Sequence, residues 1–317
     1  MLSSFQPSNE NMSGKNSVPA VVDGPNFREI RGKTRYWNGK GGDQKWSNSL
    51  NWSGQSVPEA TDFVIFNGSC VKNVVVDIHA EIKGLIIAAD YIGCLSGWND
   101  LIVAENVLIQ GGIFEVSLLC GGDLTIANGT LKTCFSTQGN LTISGGKVIW
   151  DSGEVSGNTI LKGGLLKFNS NYTRYYSFKG DFIRAGGKIE GTPIFRFDGN
   201  KPQLFSAGIE EMNLLDLYNT SQLNLQGNVK IESFFFNTGT LEITRAGTLD
   251  LEEVNCFSNT GTLIEKGKII RRVEGKPVRH KKADDLSTFE MPVTNENFAL
   301  KVLDCDQTAE KSLAAIS

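Results

Sequence analysis

The residues of this chain best suited to chemistry are its carboxylates. Polysaccharide-cleaving enzymes set paired acids, or acids with Arg and Lys, on one exposed strip. One carboxyl protonates the leaving oxygen while the other assists attack. The candidates here are Asp181, Asp198, Glu210, Glu211, Asp216, Asp250, Glu252 and Glu253. Asp250 and Glu252 alternate with Leu251, so on a strand they point the same way. Asp181, Asp198 and Asp250 share no common offset in the repeat described below, which predicts scattered positions. These acids read as solvated outer-face carboxylates.

Other chemistries have thinner material. The chain holds two His and six Cys in 317 residues, which makes a His-rich metal site or a Ser-His-Asp triad hard to build. His79 sits in VVVDIHAEI with no Cys or second His nearby and reads as an ordinary strand residue. Cys70, Cys94, Cys120, Cys134, Cys256 and Cys305 form no C-x-x-C pair and read mostly as small buried apolar residues. No cofactor or metal is called for.

Two segments could bind rather than react. KGKIIRRVEGKPVRHKK carries eight Lys or Arg and one Glu between Lys266 and Lys282. Its Lys266, Lys268, Arg271, Arg272, Arg279, Lys281 and Lys282 suit an acidic polysaccharide or anionic lipid. No aromatic residue interleaves with them, which disfavours single-stranded nucleic acid; the plain alternative is a solvated edge. NSNYTRYYSFKGD supplies Tyr172, Tyr175 and Tyr176 in what reads as a loop leaving the regular pattern. Asn-x-Ser/Thr triplets at Asn11, Asn51, Asn67, Asn128, Asn140, Asn171 and Asn219 read as turn chemistry rather than glycan sites.

The elements that position these residues form an internal repeat. From Val74 to Arg272 short apolar runs (LIIA, LIVA, LTI, LEI) alternate with Gly and Asn, without helical periodicity. One glycine recurs at Gly112, Gly129, Gly146, Gly164, Gly187, Gly208, Gly227, Gly247 and Gly267, in steps of 17, 17, 18, 23, 21, 19, 20 and 20. Two positions later stand Phe114, Leu131, Val148, Leu166, Ile189, Glu210, Val229, Leu249 and Ile269, of which eight are apolar. Ile109, Ile126, Ile143 and Leu161 lie three before the first four glycines. YNTSQL, FNTGTL and SNTGTL recur at Asn219, Asn237 and Asn259.

A period near 20 residues with strands and no helix predicts an all-β solenoid, a parallel β-helix of about ten coils and about 50 Å. Each unit is too small for its own core and must stack on its neighbours. A turn glycine then supplies positive φ at one corner of every coil. Phe235 and Phe257 share one place relative to the NTGTL motif and should stack.

Net charge is −4, and 40% of residues are apolar, which excludes a wholly disordered chain. Residues 1–35 read as a flexible leader without a recognisable signal peptide. Residues 36–66 form a Trp-rich segment that should cap the first coil, and 67–272 the β-helix. Residues 273–317 are a basic stretch and tail, with moderate helical spacing over 298–316. No apolar run is long enough to span a bilayer.

The N-T-G-T-L units and the LTIxGG and LTIANG turns resemble the strand repeats of autotransporter-type bacterial adhesins, which are right-handed β-helices. The W-N-G and W-S-N-S-L-N-W-S-G-Q-S-V-P segment is similar to the module opening many such surface proteins, and to the start of extracellular G8 domains. The resemblance covers Tyr36 to Arg272. It implies a single-stranded right-handed β-helix without enzymatic activity, a structural or adhesive segment of a bacterial surface or exported protein. Its expected partners are a polysaccharide, a host-surface glycan, or other copies end to end. The alternative reading is a polysaccharide lyase or glycoside hydrolase, and a cytoplasmic location is the alternative to export.

Overall fold

A computed structural model describes residues 32–169, 175–273 and 276–279. Tyr172, Lys281, Lys282 and the helical spacing over 298–316 lie outside the described residues. The rest forms a parallel β-solenoid of about ten turns.

Strands of three or four residues alternate inward apolar and outward polar side chains, as Leu-Thr-Ile does at Leu124–Ile126 and Leu141–Ile143. Such strands are too short to fold alone, and parallel pairing with the coils above and below satisfies their backbones. Three faces result. Face I runs from Ala80–Ile82 through Leu118–Cys120, Tyr175–Phe178 and Ile194–Phe197 to Cys256–Asn259. Face II begins at Thr34–Tyr36 and Phe63–Phe66 and ends at Thr262–Glu265. Face III stacks Val74–Val76, Cys94–Gly97, Ile113–Glu115, Thr130–Thr133, Lys147–Trp150, Leu165–Phe168 and Lys188–Glu190. Later strands bend round corners: Gln222–Asn237 serves all three faces in turn.

Equivalent side chains pile into interior columns. On face III, Val74, Leu95, Phe114, Leu131, Val148, Leu166 and Ile189 are in register. Val148 has no exposed surface. Glu210 does not continue the column as its spacing from Gly208 suggests; the buried apolar position resumes at Met212, which pairs forward with Val229. Ile209, Glu210 and Glu211 are exposed before the strand Met212–Asn219 begins, so the apolar position is delayed by two residues. Large rings fill the middle of the rod, with Phe135 stacked on Trp150 at 4.6 Å and Phe178 on Phe197 at 5.4 Å. Phe235 and Phe257 stack at 5.0 Å and 13°.

The repeat glycines serve two geometries. Those from Gly112 to Gly227 have positive φ, for example +68° at Gly146, where a Cβ would lie 2.5 Å from the Gly129 carbonyl oxygen. Gly247 and Gly267 lack the positive φ expected in every coil. There the need is close approach, because a Cβ on Gly247 would lie 2.6 Å from the Leu225 oxygen.

Polar ladders hold two corners. Asn106, Asp123, Asn140, Asn158 and Asp181 each accept, through a side-chain oxygen, a backbone N–H one coil further on at 2.7–2.9 Å. Asn219, Asn237 and Asn259 form a second ladder. A buried polar column stays stable only because every rung meets a partner.

At the first coil Trp37, Trp46 and Trp52 are fully buried against Phe66, and the Trp52 indole donates to the Trp46 carbonyl at 2.8 Å. Thr34–Tyr36 pairs with the strand Phe63–Phe66, and Arg35 Nε donates to buried Asp62 at 2.9 Å. At the other end Lys268–Val273 pairs antiparallel with Lys276–Arg279, which covers the last edge of face III with a hairpin.

Candidate binding face

Tyr175–Phe178 is a regular strand of face I, not part of a loop, because its alternation matches the coil. That register splits the two tyrosines. Tyr175 is exposed, with the Arg196 guanidinium 6.0 Å from its ring centre. Tyr176 points inward and is 1% exposed, its hydroxyl donating to the Trp150 carbonyl at 2.9 Å. It therefore offers no surface to a ligand.

Outside face I, coil pairing aligns Tyr175, Ile194, Asp216 and Phe234 in one column, and Ser177, Arg196, Tyr218 and Phe236 in the next. Tyr218 lies 5.4 Å from Phe234 at 21°, and Phe234 lies 6.4 Å from Phe236 at 25°. Phe234 is thus near-parallel to both Tyr218 and Phe236, which are tilted 45° to each other at 5.9 Å, and the three half-buried rings sit beside an exposed Arg196. Arg196 Nε bonds Asp198 at 3.0 Å, and Lys179 bridges Asp198 to Glu154 at 3.2 and 3.4 Å. Burial pushes the Asp216 carboxyl up to about 6, although the Phe234 N–H donates to it. Burial, then the Asp216 charge, raise the Tyr218 phenol to about 12. Half-buried aromatic rings flanked by hydrogen-bonding groups can pack on the apolar faces of sugar rings while the polar groups take their hydroxyls.

The basic stretch is not one strip. Lys266 is exposed and pairs with Glu242 at 2.9 Å, and Lys268 is exposed on the final strand. Arg271 aligns with inward Leu251, and burial lowers its guanidinium pKa. Arg272 aligns with Pro277 and Arg279 with Ile270 in the hairpin backbone.

The acids separate into distinct roles. Asp181 is a rung of the corner ladder and Asp198 is engaged by Lys179, Arg196 and Ser177, so neither is a simply solvated carboxylate. Asp250 accepts the backbone N–H of Glu252, two residues on, at 2.9 Å. Glu253 is exposed and pairs with Lys230. His79 is exposed, 3.6 Å from Glu81.

Glu210 and Glu211 border a cleft of about 340 Å³ beside Arg184. Its cause is a break in face III, because Lys188–Glu190 pairs backward with Leu165–Phe168 and with nothing ahead of it. Arg184 stands in register with Leu161, in the interior column of Ile109, Ile126 and Ile143. Sequence reading missed it, yet the signal was there. Arg184 lies three residues before Gly187, the offset of that apolar column.

Fold and exterior together define a parallel β-solenoid with an aromatic outer face. Searches against protein families, curated proteins and solved structures return no match. Among the described residues, no helix is long and apolar enough to cross a membrane.

Proposed function

We propose that this chain is a non-enzymatic solenoid, a structural or adhesive segment of a bacterial surface or exported protein that binds glycans along face I. The observation carrying this reading is the outward cluster of Tyr218, Phe234 and Phe236 next to Tyr175 and Arg196. A flat sheet with a fixed strand spacing holds such rings without ordering loops on binding, which lowers the entropic cost of recognition. The stacked columns and ladders also suit a stiff spacer, since each coil pairs with the next on at least two faces. The partners are a polysaccharide or host-surface glycan, with end-to-end contacts between copies as a second mode. A panel of immobilised neutral and acidic glycans tests this. The expected result is retention that falls about tenfold or more in Tyr218→Ala/Phe236→Ala, as stacking losses of that size imply. Retention by no glycan, or equally by the double variant, overturns it.

The rival reading is a polysaccharide lyase or hydrolase, favoured by Glu210 and Glu211 meeting Arg184 at one cleft. New reducing ends or unsaturated products from any polysaccharide, lost in Glu210→Gln/Glu211→Gln, would establish it.

A further inference from the structure

The interior of a solenoid is an expensive place for a guanidinium, since each column position was apolar in the coils before it. The Arg184 side chain keeps only 7% of its surface exposed, while its carboxylate partner Glu210 keeps 69%. Both hydrogen bonds of Arg184 leave from Nη2, one to the Gly187 carbonyl at 3.1 Å and one to Glu210 Oε2. Nε and Nη1 bond nothing among the described residues. The charge therefore sits on an apolar column and is met by the Gly187 carbonyl and one largely solvated carboxylate.

The cleft over it is formed by the break between Lys188–Glu190 and Met212–Asn219. Ile189 and Met212 give it apolar sides, and Thr192 and Asn213 give hydroxyl and amide groups. Its volume of about 340 Å³ is at the lower end of ligand sites, enough for one or two sugar units.

We infer that this cleft binds the carboxylate of an acidic sugar, a uronate residue, with Arg184 as the anion-binding group and Glu210 as a built-in competitor. A guanidinium takes a carboxylate in a two-point fork, and Arg184 has donors left for it. Glu210 and Glu211 on the rim repel a dianionic phosphate more strongly than a monoanion, so the charge balance favours the carboxylate. An entering uronate replaces the Glu210 carboxylate on Nη2 and leaves it to solvent, where most of its surface already is. No covalent step is involved. This site lies where faces II and III meet and does not depend on the aromatic face, so the two stand or fall separately.

The test is calorimetric titration of the full chain with oligogalacturonate and with its methyl ester, which has the same rings but no charge. The acid form is expected to bind and the ester to bind at least about tenfold more weakly, the usual scale for losing a charge-assisted pair. Glu210→Gln removes the competitor and is expected to tighten binding several-fold. Arg184→Met suits the apolar column, so it should melt no lower than the natural chain while losing the acid-form binding. Arg184→Lys keeps the charge but not the fork and should fall between. Equal binding of acid and ester, no gain in Glu210→Gln, or full binding by folded Arg184→Met would each overturn the assignment. If Arg184→Met does not fold, the Glu210→Gln comparison decides alone.

Discussion

The side-chain amide of Asn219 donates to the side-chain oxygen of Asn237 at 2.7 Å, and Asn237 donates to Asn259 at 2.6 Å. Asn219 and Asn237 have no exposed surface. Asn237→Leu keeps the branched shape but strands the Asn259 acceptor and removes a partner of Asn219. The expected loss is about 2–3 kcal/mol, one unsatisfied buried group or a little more. Neighbouring Thr238 is exposed, and Thr238→Ala should stay within about 0.5 kcal/mol. Urea unfolding followed by circular dichroism checks the contrast.

Val148 lies between Leu131 and Leu166 with no exposed surface. Val148→Asp puts an unpaired carboxylate in that column and should cost several kcal/mol, on the order of 3 or more. Asp250→Asn keeps the acceptor oxygen that receives the Glu252 N–H and should be nearly neutral. Thermal melts of similar depression for both would contradict the register.

Gly146 and Gly42 both have positive φ, +68° and +81°. Only Gly146 has a carbonyl where a Cβ would go, while Gly42 faces open space. Gly42→Ala should therefore cost about 1 kcal/mol for conformation alone. Gly146→Ala adds a clash between coils, and its midpoint in denaturant should drop clearly further.

Asp216 titrates near 6 in the folded chain against an ordinary 3.8. Below 3.8 both states hold the proton. Between the two values only the folded state holds it, so this group makes stability fall as pH rises, levelling above about 6. Asp216→Asn, which cannot ionise, should raise the melting temperature at pH 7 and leave it nearly unchanged at about pH 3.5. A gain of equal size at both pH values would show that ionisation is not the cause.

Removal of 1–31 leaves every strand pairing and buried contact named above in place and should give a monomer that melts like the full chain. Removal of 1–35 also takes the Arg35 guanidinium from buried Asp62 and should lower the melting temperature. Removal of 1–66 strips the three buried tryptophans from the first coil and opens a strand edge, so oligomers or precipitate are expected. Size-exclusion chromatography separates these outcomes, and a monomer from the shortest form would refute the capping role.

The sequence by itself determined the solenoid, because stacking turns a one-dimensional period into a spatial column. The spacing of Gly112, Gly129, Gly146 and Gly164 places Leu131 on Val148 without knowledge of any other contact. The Phe235–Phe257 stack and the Asn219 motif were legible for the same reason. Where a turn changed length the period lost its authority: the extra residues before Met212 moved Glu210 out of the column and parted two strands of face III. Asn or Asp at steps of 17, 17, 18 and 23 from Asn106 to Asp181 held the corner ladder in plain view, but only the coil geometry showed that those oxygens meet the next coil's N–H groups. Tertiary structure also decided which tyrosine of the Tyr175–Tyr176 pair faces solvent, since a single-residue shift in register reverses every side chain on a strand. The joining of Tyr218 with Phe234, and of Arg184 with Glu210, depended on how coils align across insertions of unequal length. Chain spacing does not encode that alignment; backbone pairing and core packing impose it.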